Sequence, residues 1–129
     1  MIFLDSSFII GLFVENDQWH AEALNLSRYV DTQDELVISN LILSETITGI
    51  NKKIGVEACQ TAYNYIMDNF IIITETKKLY PKAIQTMVKY HNLSFADSVS
   101  IEIMKLMNIQ EIASFDDDFD HKKGILRLH

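Results

Sequence analysis

Short apolar runs alternate with longer segments of helical periodicity along the 129 residues of this chain. The runs are rich in Ile, Leu, Val and Phe and are too short to form stable helices, so they favour β-strands. We predict strands at 2–4, 36–38, 70–73, 111–115 and 125–128. We predict helices directly after Asp5 and over 19–29, 41–52, 56–69, 76–91 and 95–107.

This alternation of strands and helices constrains the fold class. Strands that are separated by helices usually run parallel, and strands this apolar need helices on both faces of the sheet. We therefore expect an α/β fold, a three-layer α/β/α sandwich with a mainly parallel central sheet. The length suits one domain over residues 1–129, and with 48% hydrophobic residues, 4 Gly and 1 Pro no stretch is typical of a linker.

Several local signals define the predicted elements more closely. Ser39-Asn40 is a favourable start for the helix over 41–52, and Pro81 fits either the first turn of a helix or a restart within 76–91. The β-branched run at 70–73 is typical of a buried strand. The apolar stripe of the helix over 56–69 is predicted at Cys59, Tyr63 and Ile66.

The charge balance gives a mixed indication about partners. A net charge of −7 opposes electrostatic attraction to nucleic acid. Carboxylates that are neutralised by a bound metal would no longer repel nucleic acid, and local basic patches matter more than the net charge of the whole chain. The adjacent lysine pairs Lys52-Lys53 and Lys122-Lys123 are candidates for a basic groove, with ordinary solvated surface as the alternative.

Cysteine and histidine usage argues against disulfides and zinc. Cys59 is the single cysteine, so an internal disulfide and a cysteine-based zinc site are excluded. The four histidines show no short ligand spacing. The apolar opening lacks a basic n-region and contains Asp5, and no segment has the ~20 apolar residues of a membrane span. We expect a cytoplasmic protein with no membrane association.

Two acids follow predicted strands directly. Asp5 comes after the strand at 2–4, and Asp116 comes after the strand at 111–115. In open parallel sheets, sites form beyond the carboxyl ends of the strands. Both carboxylates would then project at the same edge of the sheet, which suggests a bound cation.

Two further acids lie on helices that carry apolar neighbours. Glu45 has Leu41 and Ile42 one turn before it, so its helix face is suited to burial. Asp97 has Ile101 one turn after it and lies in a first helical turn. Burying a carboxylate without a partner is costly, so both acids need a partner or a metal.

Each acid also has a simpler explanation. Asp5 could cap the helix that follows it, Ser94 and Asp97 have the spacing of an approximate capping box, and Glu45 could pair with a Lys or Arg. The three acids at 116–118 could form a solvated loop. Together these explanations require four coincidences at the right places of one alternating fold, which favours a common site.

Four motifs in order give the chain a recognisable resemblance. They are the apolar-Asp-Ser-Ser opening of Phe3 to Ser7, the helical LILSE ending at Glu45, the SFADS around Asp97, and the SFDDDF of Ser114 to Phe119. The chain resembles the PIN-domain nucleases over essentially its whole length, and especially the VapC-type toxins of prokaryotic toxin–antitoxin pairs.

The resemblance implies a metal-dependent endoribonuclease, the toxin of a type II toxin–antitoxin pair. It assigns the acidic quartet, which would bind metal and carry catalysis, to Asp5, Glu45, Asp97 and Asp116. It assigns a further metal or water ligand to Asp118 and auxiliary polar roles to Ser6 and Ser114. Oxygen ligands without His or Cys favour Mg²⁺ or Mn²⁺ over zinc.

The resemblance also implies partners. These are an RNA substrate, a protein antitoxin that occupies an apolar groove, and a second copy of the chain in a homodimer. Phe8, Phe13 and Trp19 are candidates to line such a groove, with core packing as the alternative for Phe8 and Phe13.

Three rival functions need to be weighed against the nuclease. The first is a binding or scaffold protein of the same fold without activity, and the second is a nuclease on ribosomal RNA precursor or structured DNA. The third is a phosphotransfer or receiver domain with Asp5 as acceptor. The sequence opposes the third, because position 7 is Ser where such domains carry a second Asp.

Overall fold

The structure is a computed structural model that describes residues 1–129. Its five strands are β1 (Ile2–Leu4), β2 (Leu36–Ser39), β3 (Phe70–Ile73), β4 (Glu111–Ala113) and β5 (Leu126–Leu128). Its six α-helices are α1 (Ser6–Phe13), α2 (His20–Val30), α3 (Asn40–Ile54), α4 (Val56–Asn69), α5 (Tyr80–Tyr90) and α6 (Phe95–Leu106). Short 3₁₀ turns occupy Lys77–Leu79 and Asp117–Phe119.

The five strands form one sheet in the order β3-β2-β1-β4-β5, and every neighbouring pair is parallel. β1 lies at the centre, where Phe3 is in register with Val37 of β2 and with Ile112 of β4. All three residues of β1 are fully buried. The parallel sheet predicted from the alternation of elements is confirmed.

The helices cover the sheet in two layers. The chain steps from β1 to β2 to β3 in one direction and then crosses back to β4, so right-handed crossovers place α1–α4 on one face and α5–α6 on the other. The packing agrees, since α1 contacts α2 and α3, α3 contacts α4, and α5 contacts α6. The predicted three-layer sandwich is confirmed.

Helix ends follow local sequence signals. The Ser39 hydroxyl accepts a hydrogen bond from the Ile42 amide at 3.1 Å, which caps α3 as predicted. Gly55, with φ of 92°, ends α3 in a conformation that other residues adopt only with strain. The helix predicted over 76–91 begins as a 3₁₀ turn and restarts as α5, with Pro81 in its first turn.

Three sequence predictions need correction. The strand at 70–73 is an edge strand that is only half-buried, and Ile71 is exposed, because no strand lies beyond it. Tyr63 is exposed, and Ala62 with Ile66 forms the buried stripe of α4. The strand predicted at 111–115 ends at Ala113, because the chain turns there to form the site described below.

The largest buried cluster contains 21 residues and joins the sheet to both helical layers. Phe3, Phe8 and Phe119 are its largest fully buried side chains. Phe119 anchors the loop after β4, so the acids at 116–118 lie in an ordered turn rather than a loose loop. None of the helices combines the length and the apolar character needed to cross a membrane.

We predict that Ser39→Ala lowers the free energy of unfolding by about 1 kcal/mol, because the first turn of α3 loses its capping oxygen. Urea unfolding followed by circular dichroism measures this. Ser44→Ala, at an exposed position of the same helix, is the matched control and should change stability by less than about 0.5 kcal/mol. Equal stability of both variants would contradict the capping role.

Candidate active site

The candidate site lies between β1 and β4, where the order in which strands are added to the sheet reverses. β1 and β4 are neighbours, but the chain leaves β1 toward β2 and reaches β4 only after crossing the sheet. Asp5 directly follows β1, and Ser114 directly follows β4. Connections diverge at this point, which leaves a crevice at the carboxyl ends of the strands.

Asp5 is the buried centre of the site, with 4% of its surface exposed. Its Oδ2 accepts hydrogen bonds from the hydroxyls of Ser7 and Ser114, each at 2.7 Å. Although Asp5 occupies the N-cap position of α1, its side chain does not cap the helix. The capping alternative is therefore wrong, and Oδ1 receives no hydrogen bond from the protein.

Ser7 is a site residue that the sequence interpretation missed. Besides donating to Asp5, its Oγ accepts a hydrogen bond from the Phe115 amide at 3.0 Å and lies 3.3 Å from Ser114 Oγ. The sequence interpretation favoured Ser6, the other serine of the pair. The spacing of Asp5 and Ser7 was a visible signal, but choosing between adjacent serines requires the rotation of α1 about its axis.

The loop after β4 brings Asp116 and Asp118 to the site. Ser114 Oγ accepts a hydrogen bond from the Asp116 amide at 3.0 Å, and Asp116 Oδ1 accepts one from the Asp118 amide at 2.9 Å. Asp118 Oδ1 also accepts a hydrogen bond from Asn92 at 3.3 Å. The carboxylate oxygens of 116–118 can come within 4.8 Å of one another. The Asp5, Asp97 and Asp116 carboxylates are more widely spaced.

Asp97 enters the site from the opposite helical layer, in the first turn of α6. Its amide donates to Ser94 Oγ at 3.0 Å, so the predicted cap at Ser94 is present. Burial, together with the nearby charges of Asp5 and Asp116, raises the pKa of Asp97 to about 6, even though hydrogen bonds with Ser94 act in the opposite direction.

Glu45 lies at the exposed rim of the site, while Ile42, one turn before it, is fully buried, so the helix face predicted to be buried is buried only in part. Partial burial of its carboxyl group still raises the pKa of Glu45, and the charges of Asp5 and Asp116 add to the effect. The neighbouring Ser6 side chain lowers the pKa, which gives Ser6 a place beside Glu45. The structure thus brings the predicted quartet and both predicted serines together.

The four acids carry like charges, and none of them forms an ion pair with a basic residue. The pKa of Asp116 is raised by burial and by Asp118 and Asp5, while the Asp118 amide lowers it. The ion pairs of the structure involve Asp17, Glu102 and Asp120, and none involves the quartet. Glu45 is therefore not paired with a Lys or Arg, and a divalent cation fits the oxygen donors that remain.

Arg127 of β5 is a second residue that the sequence interpretation missed. Its guanidinium forms two hydrogen bonds with the Asp120 carboxylate at 2.7 and 2.9 Å and one with the Ser114 carbonyl at 3.1 Å. Asp120 raises the pKa of Arg127, and Asp117 and Asp116 add to this. Arg127 therefore fixes the end of β4 from which Ser114 reaches Asp5.

Comparison with known proteins identifies the family. The pattern of the PIN domain matches residues 2–125, which is nearly the whole chain. The chain belongs to the PIN-domain family.

Individual relatives of this PIN domain are VapC proteins. It is 24% identical to ribonuclease VapC6 of Methanocaldococcus jannaschii, over 92% of this chain and 90% of that protein. It is 28% identical to the crystal structure of Mycobacterium tuberculosis VapC20, a sarcin-ricin loop cleaving toxin, with a TM-score of 0.80 and 92% of each chain covered. A toxin–antitoxin complex from Klebsiella pneumoniae shares the fold, with a TM-score of 0.76, 16% identity and 98% and 96% coverage.

The three aromatic residues predicted to line a partner groove differ in how deeply they are buried in this PIN domain. Phe8 is buried in the core and lines no groove. Phe13 is half-buried and packs edge-on against Tyr65 at 5.5 Å between ring centroids. Trp19 is 36% exposed. The core-packing alternative is right for Phe8, and of the three residues Trp19 is the one that is exposed to solvent.

We predict that Asp97→Asn stabilises this PIN domain in EDTA at pH 8 and has a much smaller effect near pH 4.5. The folded protein holds the Asp97 proton up to about pH 6, against an ordinary pKa of 3.8, so wild-type stability falls as pH rises through that window. Thermal unfolding at several pH values measures the difference. Exposed Asp68→Asn is the control and should lack this pH dependence; a pH-independent effect of Asp97→Asn would contradict the account.

Proposed function

We propose that this chain is a metal-dependent endoribonuclease, a VapC-type toxin that hydrolyses RNA phosphodiester bonds with Mg²⁺ or Mn²⁺. The observation that carries the proposal is the convergence of four carboxylates, from both helical layers and two strand ends, without a basic partner. Such mutual repulsion costs stability, and a bound divalent cation removes that cost.

The residues of the site would have different roles in binding the cation. Asp5, Asp97 and Asp116 would hold the principal ion, directly or through water. Asp5 Oδ1 suits this role, because both serine hydroxyls bind Oδ2 and leave Oδ1 free. Asp118 would add a ligand or hold a water molecule. Ser7 and Ser114 are positioning residues, since they fix the orientation of the Asp5 carboxylate.

Glu45 would orient the attacking water. Its raised pKa makes the carboxylate a stronger proton acceptor than an ordinary glutamate, and its place at the exposed rim gives water and substrate access to it. A divalent ion, when bound, supplies stabilisation of the charge that develops on the phosphate and on the leaving oxygen. In-line hydrolysis then requires that the chain hold the phosphodiester between Glu45 and the Asp5 cluster.

The choice of RNA as substrate and of an antitoxin as partner rests on relatives. The related Methanocaldococcus protein is a ribonuclease, and the related Mycobacterium toxin cleaves the sarcin-ricin loop. We extend ribonuclease activity to this chain, together with inhibition by an antitoxin, homodimerisation and a cytoplasmic location. The structural likeness to a toxin–antitoxin complex supports the antitoxin.

We predict that partner-free wild-type protein cleaves a structured RNA such as a transfer RNA with Mg²⁺ or Mn²⁺ and stops in EDTA. Asp5→Asn should lose at least about 100-fold in rate, because the central cation ligand loses its charge while the serine hydrogen bonds can be kept. Gel analysis of end-labelled RNA measures both.

The control for this experiment is Asp68→Asn, which removes an exposed acid from α4. It should cleave at the wild-type rate. Cleavage by Asp5→Asn at the same rate would contradict the assignment of the site. Folded wild-type protein that cuts none of several RNAs and binds no Mn²⁺ would favour the inactive scaffold.

One lysine is well placed to contact the RNA backbone. Lys52 lines an open groove of about 550 Å³ together with Glu45 and with Ala96 of α6, which is next to Asp97 in the chain. Lys123 is also exposed, but the other two candidate lysines are less available. Lys53 pairs with Asp17 at 3.7 Å, and Lys122 is buried, with its ammonium bound to the Asp120 carbonyl at 3.0 Å.

We predict that Lys52→Gln weakens RNA binding in EDTA and reduces the slope of log K against log salt by about one, because one phosphate contact is lost. Fluorescence anisotropy at several salt concentrations measures the slope. Lys78→Gln, a change at an exposed lysine of a 3₁₀ turn, is the control and should leave the slope unchanged. An unchanged slope for Lys52→Gln would remove this residue from the RNA path.

A further inference from the structure

A stacked aromatic pair lies beside the acidic cluster. The rings of Trp19 and Phe115 are nearly parallel, with 11° between their planes and 5.2 Å between their centroids. Phe115 lies between Ser114 and Asp116, and its amide donates to Ser7. The aromatic pair is therefore attached rigidly to the same residues that fix Asp5.

The pair opens onto a cavity of about 390 Å³ that contains both signs of charge. It is lined by Trp19, Phe115, Asp116, Asp117, Arg127 and His129. Asp117 is exposed, and its carboxylate is an acceptor. The cavity thus combines an aromatic surface with hydrogen-bonding groups immediately next to a proposed cation ligand, Asp116.

Arg127 contributes donors to this cavity. Its side chain is 9% exposed. It uses three of its five N–H donors on Asp120 and Ser114. The remaining two can serve a ligand without breaking those bonds, so a fixed, nearly buried cation lies at the edge of the aromatic surface.

We propose that this cavity, defined by Trp19, Phe115, Asp117 and Arg127, binds one unpaired guanine base of the RNA substrate. The base stacks on Trp19, since unpaired RNA bases commonly stack on aromatic side chains. Asp117 accepts hydrogen bonds from the guanine N1–H and N2–H, and Arg127 donates to an acceptor of the base such as O6. This inference rests on the proposed ribonuclease function and adds a base-specific subsite to it.

Guanine fits this set of groups better than the other bases. Its Watson–Crick edge presents two adjacent donors, which match the two oxygens of one carboxylate. Adenine, cytosine and uracil each offer one donor group on that edge. An apolar peptide side chain would stack on Trp19 but would use neither the exposed Asp117 carboxylate nor the two free N–H donors of Arg127.

Trp19 is the single tryptophan of the chain, so its fluorescence reports on the cavity alone. The wild-type protein is titrated in EDTA, where the proposed cleavage stops, with the RNA pentamers UUGUU, UUAUU, UUCUU and UUUUU. We expect saturable quenching, with UUGUU binding on the order of tenfold more tightly than the others. Asp117→Asn should remove that preference. Equal binding of all four pentamers would overturn the guanine assignment, and arginine amide quenching Trp19 better than UUGUU would indicate a peptide site.

Cleavage kinetics provide the second test. Trp19→Leu should raise KM on the order of tenfold with a smaller change in kcat, since stacking of one base is lost. Its Mn²⁺ affinity should stay at the wild-type value, because Trp19 is not a cation ligand. Tyr63→Leu, which removes an exposed aromatic ring from α4, is the control and should leave KM unchanged.

The subsite and the ribonuclease proposal can fail separately. If RNA is cleaved and Trp19→Leu has the wild-type KM, the subsite is wrong and the nuclease stands. If no RNA is cleaved but UUGUU quenches Trp19 with the expected preference, the base site stands and the nuclease proposal is wrong. Circular dichroism of Trp19→Leu and Asp117→Asn shows whether either variant has lost its fold. The fluorescence titration of the wild-type protein does not depend on how the variants fold.

Discussion

The buried carboxylate of Asp5, held by the hydroxyls of Ser7 and Ser114, is the interaction on which the site depends. It connects the start of α1 to the end of β4 at the point where two neighbouring strands diverge. The Ser114 hydroxyl also accepts a hydrogen bond from the Asp116 amide, and the Ser7 hydroxyl accepts one from the Phe115 amide. The same two hydroxyls therefore fix the conformation of the loop after β4. Buried polar groups are stable only when their hydrogen bonds are satisfied, and here the satisfied bonds leave one Asp5 oxygen free.

The site is also a place where function opposes stability. Burial raises the pKa values of Glu45, Asp97 and Asp116, and the charges of neighbouring acids of the site, Asp5 among them, raise them further. The rest of the fold compensates through a continuous core and through ordered supports such as the Asp120–Arg127 pair. Sites that bind cations commonly have this unfavourable charge distribution in the free protein, because the ligands must be in place before the ion arrives.

Much of this could be predicted from the sequence, because the signals were local. The alternation of strands and helices gave the layers and the parallel sheet, and the position of Asp5 and Asp116 after strands placed both at one edge. Side-chain details depended on tertiary geometry. The rotation of α1 decided that Ser7 rather than Ser6 binds Asp5, and the edge position of β3 left Ile71 exposed. Arg127 could not be foreseen, because its partners Asp120 and Ser114 meet it only through the parallel pairing of β4 and β5.

The central claim is that the carboxylate cluster is a cation site built around Asp5. Calorimetric titration with Mn²⁺ tests it most directly, using wild-type protein, Asp5→Asn, Asp97→Asn and the surface control Asp68→Asn. We expect saturable binding by the wild type and the control, and a large loss of affinity in the two site variants. Mn²⁺ binding of equal strength in all four proteins would show that the ion binds elsewhere and would contradict the account.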